Sequence, residues 1–405
     1  MLLKDIRAGT TGSAPADFIA FKGAIYFAAT ETGSGEPGRE LWRTDGTPAG
    51  TTLFKNIHPS GSGIDTGTMY PVLMGGHLYF AASEGGASGR ELWRTDGTEA
   101  GTELVKDCLP GATSSLPQQL TVVLDRIFFV TNGGTTTGTG GGRELWVSDG
   151  TEAGTYEVKD INPGTTSSTP TNLTALGDKL VFTATDGVNG VELWVSDGTM
   201  AGTTMLKDVN PASTGTTNGS AYGEFTVVGN RLFFVANDGS GLKLWATDGT
   251  SAGTAVVKAL RPDAPAGSIA QLTRVGSTLF FVADDGVHGA ELWSSDGTDA
   301  GTRLVRDVRA GPAGSGIGEL TAVGARVYFV ANDGPHGAEL WVSDGTAQGT
   351  RLVKDVLPGA RGASPSALTA IDGLLFFGAD DGVFGHEPWV SDGTEAGTRR
   401  AADLN

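Results

Sequence analysis

Apolar residues along this chain fall in short runs, within which apolar and polar positions alternate. Over one stretch such runs occupy 172–176, 179–184, 191–195 and 205–209, and turns rich in glycine and aspartate separate them. Alternation with a period of two between such turns is typical of half-buried β-strands. The pattern therefore predicts four short antiparallel strands joined by tight turns.

The same four-strand pattern recurs along the whole chain, and each copy carries a variant of Glu-Leu-Trp followed by Asp-Gly-Thr. Successive tryptophans lie 48 to 53 residues apart. A repeat of this length is one supersecondary unit, which must stack on its neighbours to bury its apolar surface. The sequence thus predicts an all-β fold, an eight-bladed β-propeller of four-stranded antiparallel blades. The blades are expected at about 15–57, 67–108, 116–161, 170–209, 222–260, 268–308, 316–356 and 364–404.

The two ends of the chain predict how the blades close into a ring. Residues 1–6 match the fourth strand of the other copies, whereas the last copy of that strand, at 400–404, has lost its apolar residues. We therefore expect residues 1–6 to form the outer strand of the last blade and to close the ring across the termini. Such closure protects a sheet edge that is otherwise open to pairing with another chain.

The repeated tryptophans and aspartates are interpreted as structural residues. Every pair of neighbouring blades needs the same wedge, which favours packing over ligand stacking for the indoles. Aspartate followed by glycine is typical of a turn in which the carboxylate accepts backbone N–H groups. Calcium is the alternative, but one carboxylate per turn falls short of its roughly six to eight oxygen ligands. The residues are Trp42, Trp93, Trp146, Trp194, Trp245, Trp293, Trp341 and Trp389, and Asp45, Asp96, Asp149, Asp197, Asp248, Asp296, Asp344 and Asp392.

Composition narrows the range of partners. The 64 glycines fit many short turns, because glycine weakens helices. The net charge of −18, without a basic run, argues against a nucleic-acid partner. No stretch reaches the roughly 18 apolar residues of a membrane span, and no signal peptide is evident. Cys108 is the only cysteine and is interpreted as a buried apolar residue, and we expect a monomer.

These motifs resemble those of the bacterial ELWxxDGT repeat proteins. Residues 192–199 and 339–346 match the motif in full, whereas Lys243 and Pro388 depart from it. The resemblance covers essentially the whole chain. It implies a propeller-like bacterial protein that is exported or held at the cell surface, and it names no reaction.

Differences in length between the repeats are confined to two of the four connections. The span from the strand-two aromatic residue to the tryptophan ranges from 11 residues (Phe234 to Trp245) to 17 (Phe129 to Trp146), and two links between blades are lengthened. Alternating strand direction places both kinds of connection on one face. Variable loops on a constant scaffold often bind ligands, so we predict a ligand on this face. Neutral variation of solvated loops is the alternative.

Candidate binding residues lie in these loops and links. His288, His336 and His386 are interpreted as matching loop positions of three consecutive blades, too far apart to share a zinc ion. Calcium bound by acidic pairs and loop carbonyls is a second candidate, and capping of hairpins is its alternative. No other cofactor is predicted. The predicted ligand-binding residues are Tyr70, Asp65, Tyr222, Glu224, His288, His336, His386, Phe384, Arg261, Arg309 and Arg361, and the candidate calcium ligands are Asp284, Asp285, Asp333, Asp380 and Asp381.

The sequence favours a non-catalytic binding or scaffold propeller of an exported or surface bacterial protein, with a glycan or a protein as its ligand. No catalytic residue is predicted, because no carboxylate pair and no perturbed histidine, tyrosine or lysine can be identified near the predicted axis. Two alternatives remain. One is a polysaccharide lyase or hydrolase acting at the axial channel, and the other is a passive spacer or adhesive segment of a longer surface protein.

Overall fold

The computed structural model describes residues 2–31, 38–65, 67–86, 88–133, 142–212, 215–219, 223–261 and 269–402, and these residues form strands, turns and bends. The strands form eight sheets, each of which contains four consecutive antiparallel strands, consistent with an eight-bladed propeller. We number the strands β1–β33 and the sheets, called blades, 1–8 in chain order. Within the described ranges, no apolar helix of membrane-spanning length is present.

Blades 1 to 4 belong to the first of two compact units. Blade 1 contains β1 (Ala16–Phe21), β2 (Ala24–Thr30), β3 (Arg39–Thr44) and β4 (Thr52–Lys55). Blade 2 contains β5 (Val72–Met74), β6 (His77–Ser83), β7 (Arg90–Thr95) and β8 (Thr102–Lys106). Blade 3 contains β9 (Gln118–Val123), β10 (Arg126–Asn132), β11 (Arg143–Ser148) and β12 (Tyr156–Lys159). Blade 4 contains β13 (Thr171–Leu176), β14 (Lys179–Thr185), β15 (Asn189–Ser196) and β16 (Thr204–Lys207).

Blades 5 to 8 belong to the second unit. Blade 5 contains β18 (Gly223–Val228), β19 (Arg231–Asn237), β20 (Leu242–Thr247) and β21 (Ala255–Lys258). Blade 6 contains β22 (Ile269–Val275), β23 (Thr278–Asp284), β24 (Ala290–Ser295) and β25 (Arg303–Arg306). Blade 7 contains β26 (Gly318–Val323), β27 (Arg326–Asn332), β28 (Ala338–Ser343) and β29 (Arg351–Lys354). Blade 8 contains β30 (Ser366–Ile371), β31 (Leu374–Asp380), β32 (His386–Ser391) and β33 (Arg399–Arg400).

Within each unit, a tryptophan of one blade packs against the preceding blade. Trp194 of blade 4 shares a core cluster with Phe128 and Val158 of blade 3, and all eight indoles are only 3–7% exposed. The fourth strand covers this contact, since the Lys159 ammonium lies 5.8 Å from the Trp194 ring centroid and donates to the carbonyl of Thr203 at 2.9 Å. One aromatic side chain and one lysine therefore join two sheets.

The glutamate of the repeated motif holds the link to the next blade. Glu91 on β7 is fully buried and accepts the backbone N–H groups of Cys108 (2.8 Å) and Ser115 (2.9 Å). The Ser115 hydroxyl donates to the same carboxyl group at 2.5 Å. Burial is the largest influence on this group and raises the pKa of Glu91 to about 7. The carboxyls of Glu40, Glu144 and Glu339 are placed in the same way, and burial raises the pKa of each to about 7.

The predicted placement of residues 1–6 as the outer strand of the last blade is wrong. That position is held by β33, in which Arg399 and Arg400 pair with Val390 and Trp389. Pairing uses backbone groups, so the loss of apolar side chains does not prevent it. Residues 2–6 form no strand, and they lie against blade 1, where Ile6 packs on Trp42.

Blade 4 has one strand more than the repeat predicts. A fifth strand, β17 (Gly215–Gly219), pairs with β15. The third strand, β15, is eight residues long in this blade. The fourth strand, β16, pairs only with Leu193 to Val195, near the C-terminal end of β15. The lengthened link before blade 5 therefore adds a fifth strand to the sheet of blade 4.

Candidate functional site

The variable loops and the links between blades lie side by side. In unit 1, Gly38, just before β3, donates its backbone N–H to the carbonyl of Gly61 in the following link at 2.8 Å. Ser83, at the end of β6, donates to Gly63 of the same link at 2.8 Å. The loop of one blade, the link and the second strand of the next blade therefore form one continuous surface. The sequence-predicted binding residues are distributed along surfaces of this kind.

In blade 2, two predicted residues contact buried groups. Asp65 forms an ion pair with Arg90, whose guanidinium is almost fully buried and also donates to the Thr68 hydroxyl. Tyr70 is half-buried and packs against the cluster that contains Met74 and Tyr79. Asp65 thereby compensates a buried cation, which is a structural contribution. Tyr222 lies outside the described residues.

In blades 6 and 7, a histidine caps each loop together with an aspartate. The Nδ1 atom of His288 lies 2.8 Å from Asp285 Oδ2, and that of His336 lies 2.7 Å from Asp333 Oδ2. The hydrogen bond to the carboxylate raises the pKa of both imidazoles above 6.5. In the adjoining link, Arg261 forms an ion pair with Asp284 at 3.0 Å. Arg309 is exposed in the next link.

In blade 8, the prediction that His386 matches His288 and His336 is wrong. Asp381 Oδ1 accepts the N–H groups of Val383 and Phe384, as Asp285 does for the two equivalent residues of blade 6. Phe384 therefore occupies the histidine position, and the Arg400 guanidinium lies 3.6 Å from its ring centroid. His386 is the first residue of β32 and lies 3.1 Å from the hydroxyl of Ser366.

The candidate calcium ligands have protein partners. Asp284 and Asp380 pair with Arg261 and Arg361, at 3.0 and 3.3 Å. In the described part of the chain, no group of three or more histidine, cysteine, aspartate or glutamate side chains is placed to hold a metal ion. Calcium binding by these loops stays a prediction.

The repeated aspartates cap their own turns. In blade 4, Asp197 Oδ1 accepts the backbone N–H of Thr199 at 2.8 Å and its hydroxyl at 2.7 Å. These hydrogen bonds lower the pKa of the Asp197 carboxyl below 3.8. The corresponding carboxylate accepts the same pair of bonds in all eight turns.

A left-handed residue near the start of each first strand was missed by the sequence analysis. None of these residues is glycine, although this conformation is costly for other L-residues. In seven blades the ladder pairing is interrupted at this residue, as between Ala16 and Ile19 of β1, which marks a β-bulge. In blade 2 the equivalent residue, Tyr70, lies two residues before β5. The structure makes Tyr70 and Glu224 equivalent, although the sequence selected them separately. With φ between 48° and 59°, the bulge residues are Asp17, Tyr70, Gln119, Asn172, Glu224, Gln271, Glu319 and Ala367.

In unit 2, side chains of the bulge residues connect neighbouring first strands. Glu224 Oε2 accepts the backbone N–H of Leu272 at 3.2 Å, and Glu319 Oε2 accepts that of Leu368 at 2.8 Å. Gln271 lies between them in sequence and accepts the N–H of Leu320 at 3.2 Å. Both glutamates remain exposed. The first strands of this unit therefore present a row of hydrogen-bonding side chains that differ from blade to blade.

No family model and no curated protein matches the chain. Among solved structures, it is similar to a puromycin hydrolase (17% identity, 90% of this chain and 58% of that chain, TM-score 0.41). It is also similar to a prolyl endopeptidase (14%, 93% and 54%, TM-score 0.44). A third is the β-propeller domain of the Trilobed protease from Pyrococcus furiosus, which has an open velcro topology (11%, 83% and 97%, TM-score 0.35).

The chain spans just over half the length of the first two of these proteins, and the likeness is one of fold. The prediction of a non-catalytic binding or scaffold propeller is contradicted by this comparison. The similar structures named above are peptidases and a puromycin hydrolase.

Proposed function

We propose that the chain is a closed eight-bladed propeller that receives peptide chains for a hydrolase. The observation that carries the proposal is the left-handed residue at or just before the start of every first strand, which forms a bulge in seven blades. At a bulge the ladder is interrupted, so backbone groups there bond to side chains of the neighbouring blade, as the N–H of Leu272 does to Glu224. An extended peptide carries alternating N–H and C=O groups that need such partners. In a closed ring, the bulge residues surround a common axis.

The side chains at these positions suit peptide recognition. Seven of the eight carry a group that forms hydrogen bonds, and Glu224 and Glu319 add exposed negative charge. Because each blade carries its own side chain, such a row distinguishes one peptide sequence from another. The prolyl endopeptidase and the puromycin hydrolase described above are similar to this chain in fold. A hydrolase that acts together with this propeller is a further part of the proposal.

Peptide binding is tested with a fluorescein-labelled, unstructured 12-residue peptide of net positive charge, in a fluorescence polarisation titration. We expect Glu224→Gln and Glu319→Gln each to weaken binding about fivefold, because a charged hydrogen-bond acceptor becomes neutral. The matched control is Glu395→Gln, an exposed glutamate in the Asp392 turn, which should leave binding unchanged. Absence of binding, or equal loss in all three variants, contradicts the proposal.

Ring closure is tested separately by small-angle X-ray scattering. A compact particle of 405 residues has an expected radius of gyration of about 21 Å. A markedly larger value would show that the two units stay apart, and the bulge residues would then share no axis.

A further inference from the structure

A cavity of about 410 Å³ lies between blades 2 and 3, on the side of the first hairpins and the Asp-Gly-Thr turns. It is on the opposite side of each blade from the variable loops, and the sequence analysis assigned nothing to it. Its lining includes Met74, His77, Tyr79, Leu124, Asp125 and Asp149.

The cavity stays open because His77 is shorter than the arginine at its position in blades 3, 5 and 7. In blades 3 and 5, an arginine begins the second strand and reaches a turn carbonyl of the next blade: Arg126 donates to Asp197 at 3.0 Å, and Arg231 donates to Gly297 at 2.9 Å. His77 instead contacts the carbonyl of Gly75 in its own turn, at 3.2 Å. Arg94 from β7 donates to the carbonyl of Gly150 in the turn of blade 3 at 2.8 Å. The space between His77 and this turn stays open.

Leu124 forms part of the cavity rim in an unfavourable conformation. Its φ is 55°, at a hairpin position where five of the eight blades have glycine. The side chain is also 71% exposed, so burial does not offset the backbone strain. Strain of this kind collects at binding sites, where the side chain serves a ligand rather than the fold.

The charged side chains at and beside the cavity are Asp125, Asp149 and Glu103 against Arg94 and Arg126, an excess of one negative charge. Asp125 is exposed, and Asp149 caps its turn through Oδ1, which leaves Oδ2 outside that hydrogen bond. The Arg94 guanidinium is compensated by Glu103 at 2.6 Å. A cation is therefore the complementary ligand.

We propose that this cavity binds a cationic side chain with an apolar stem, an arginine or lysine of a peptide. The charged end lies between Asp125 and Asp149, and the stem lies against Leu124 and Met74. This site is independent of the bulge residues, so its test and that of peptide binding at the first strands can fail separately.

The test measures binding to the full chain by saturation-transfer difference NMR. The probes are Nα-acetyl-arginine amide, Nα-acetyl-lysine amide and the uncharged Nα-acetyl-norleucine amide. We expect both cationic probes to bind at least tenfold more tightly than the norleucine probe. Asp125→Asn and Leu124→Gly should each weaken the cationic probes at least fivefold. Asp178→Asn changes the equivalent hairpin residue of blade 4 and should have no effect.

Leu124→Gly also separates binding from folding. Glycine adopts the left-handed conformation without strain, so the variant should melt at or above the wild-type temperature while it loses affinity. Three results overturn the proposal: no binding of either cationic probe, equal binding of the norleucine probe, or the same loss of affinity in Asp178→Asn.

Discussion

Replacing Glu91 with glutamine should change stability in a way that depends on pH. The buried carboxyl accepts two backbone N–H groups and one hydroxyl, from Cys108 and Ser115. Glutamine keeps one acceptor oxygen, and its NH₂ group then faces a donor. A buried donor without a partner costs about 1–3 kcal/mol, so Glu91→Gln should be destabilised by that amount at pH 5.

The wild-type protein should lose this advantage as the pH rises. The folded pKa of Glu91 is raised from 4.5 to about 7, so the folded state holds a proton that the unfolded state releases. This contribution is fully present below pH 4.5 and is lost as the pH rises through 7. Between pH 5 and pH 8 the linkage amounts to about 2–3 kcal/mol. The glutamine variant lacks this titration, so its deficit should shrink by that amount and vanish or reverse at pH 8.

The measurement is urea unfolding followed by tryptophan fluorescence, at both pH values. Glu99→Gln is the matched control, since Glu99 is an exposed glutamate in the next turn of the same blade. We expect it to match the wild-type protein at either pH. A deficit of the same size for Glu91→Gln at pH 5 and pH 8 would refute the assignment of a raised pKa to this carboxyl.

Two further predictions concern a loop and a contact between blades. Asp285→Asn removes the carboxylate bonded to His288 and should lower the pKa of this imidazole towards 6.5, as measured by an NMR titration, while His336 in blade 7 serves as the unaffected control. Trp194→Ala should destabilise the protein by about 3–5 kcal/mol in urea unfolding, because a large buried side chain is lost between two blades, and a loss below about 1 kcal/mol would contradict its role there.

The four-stranded antiparallel blades could be predicted from the sequence because period-two alternation and turn residues are local signals. The predicted strand at 179–184, for instance, lies within β14, Lys179–Thr185. Which terminal segment forms the outer strand of blade 8 could not be predicted in this way. Apolar side chains suggested that 1–6 would replace 400–404, but backbone groups alone suffice for β33. Side-chain pattern is therefore a poor guide where two segments compete for one edge.

The bulge residues had no usable signal in the sequence. A left-handed residue is normally suggested by glycine or asparagine, yet glutamine or glutamate fills this place in four blades. The surrounding sheet imposes the left-handed conformation. The residue type at this position is therefore not set by the conformation. The role of Glu91 was also missed, because its partners lie 17 and 24 residues further along the chain.

The lysine that ends the fourth strand shows that the sequence repeat and the physical building block are offset. Lys55 donates to Glu99, and Lys354 donates to Thr398, each in the turn of the following blade. Excising one copy from tryptophan to tryptophan would thus sever bonds on both flanks. To shorten or lengthen such an array, the segment to delete or insert should begin and end within a blade. Each contact between the fourth strand of one blade and the tryptophan of the next then stays intact.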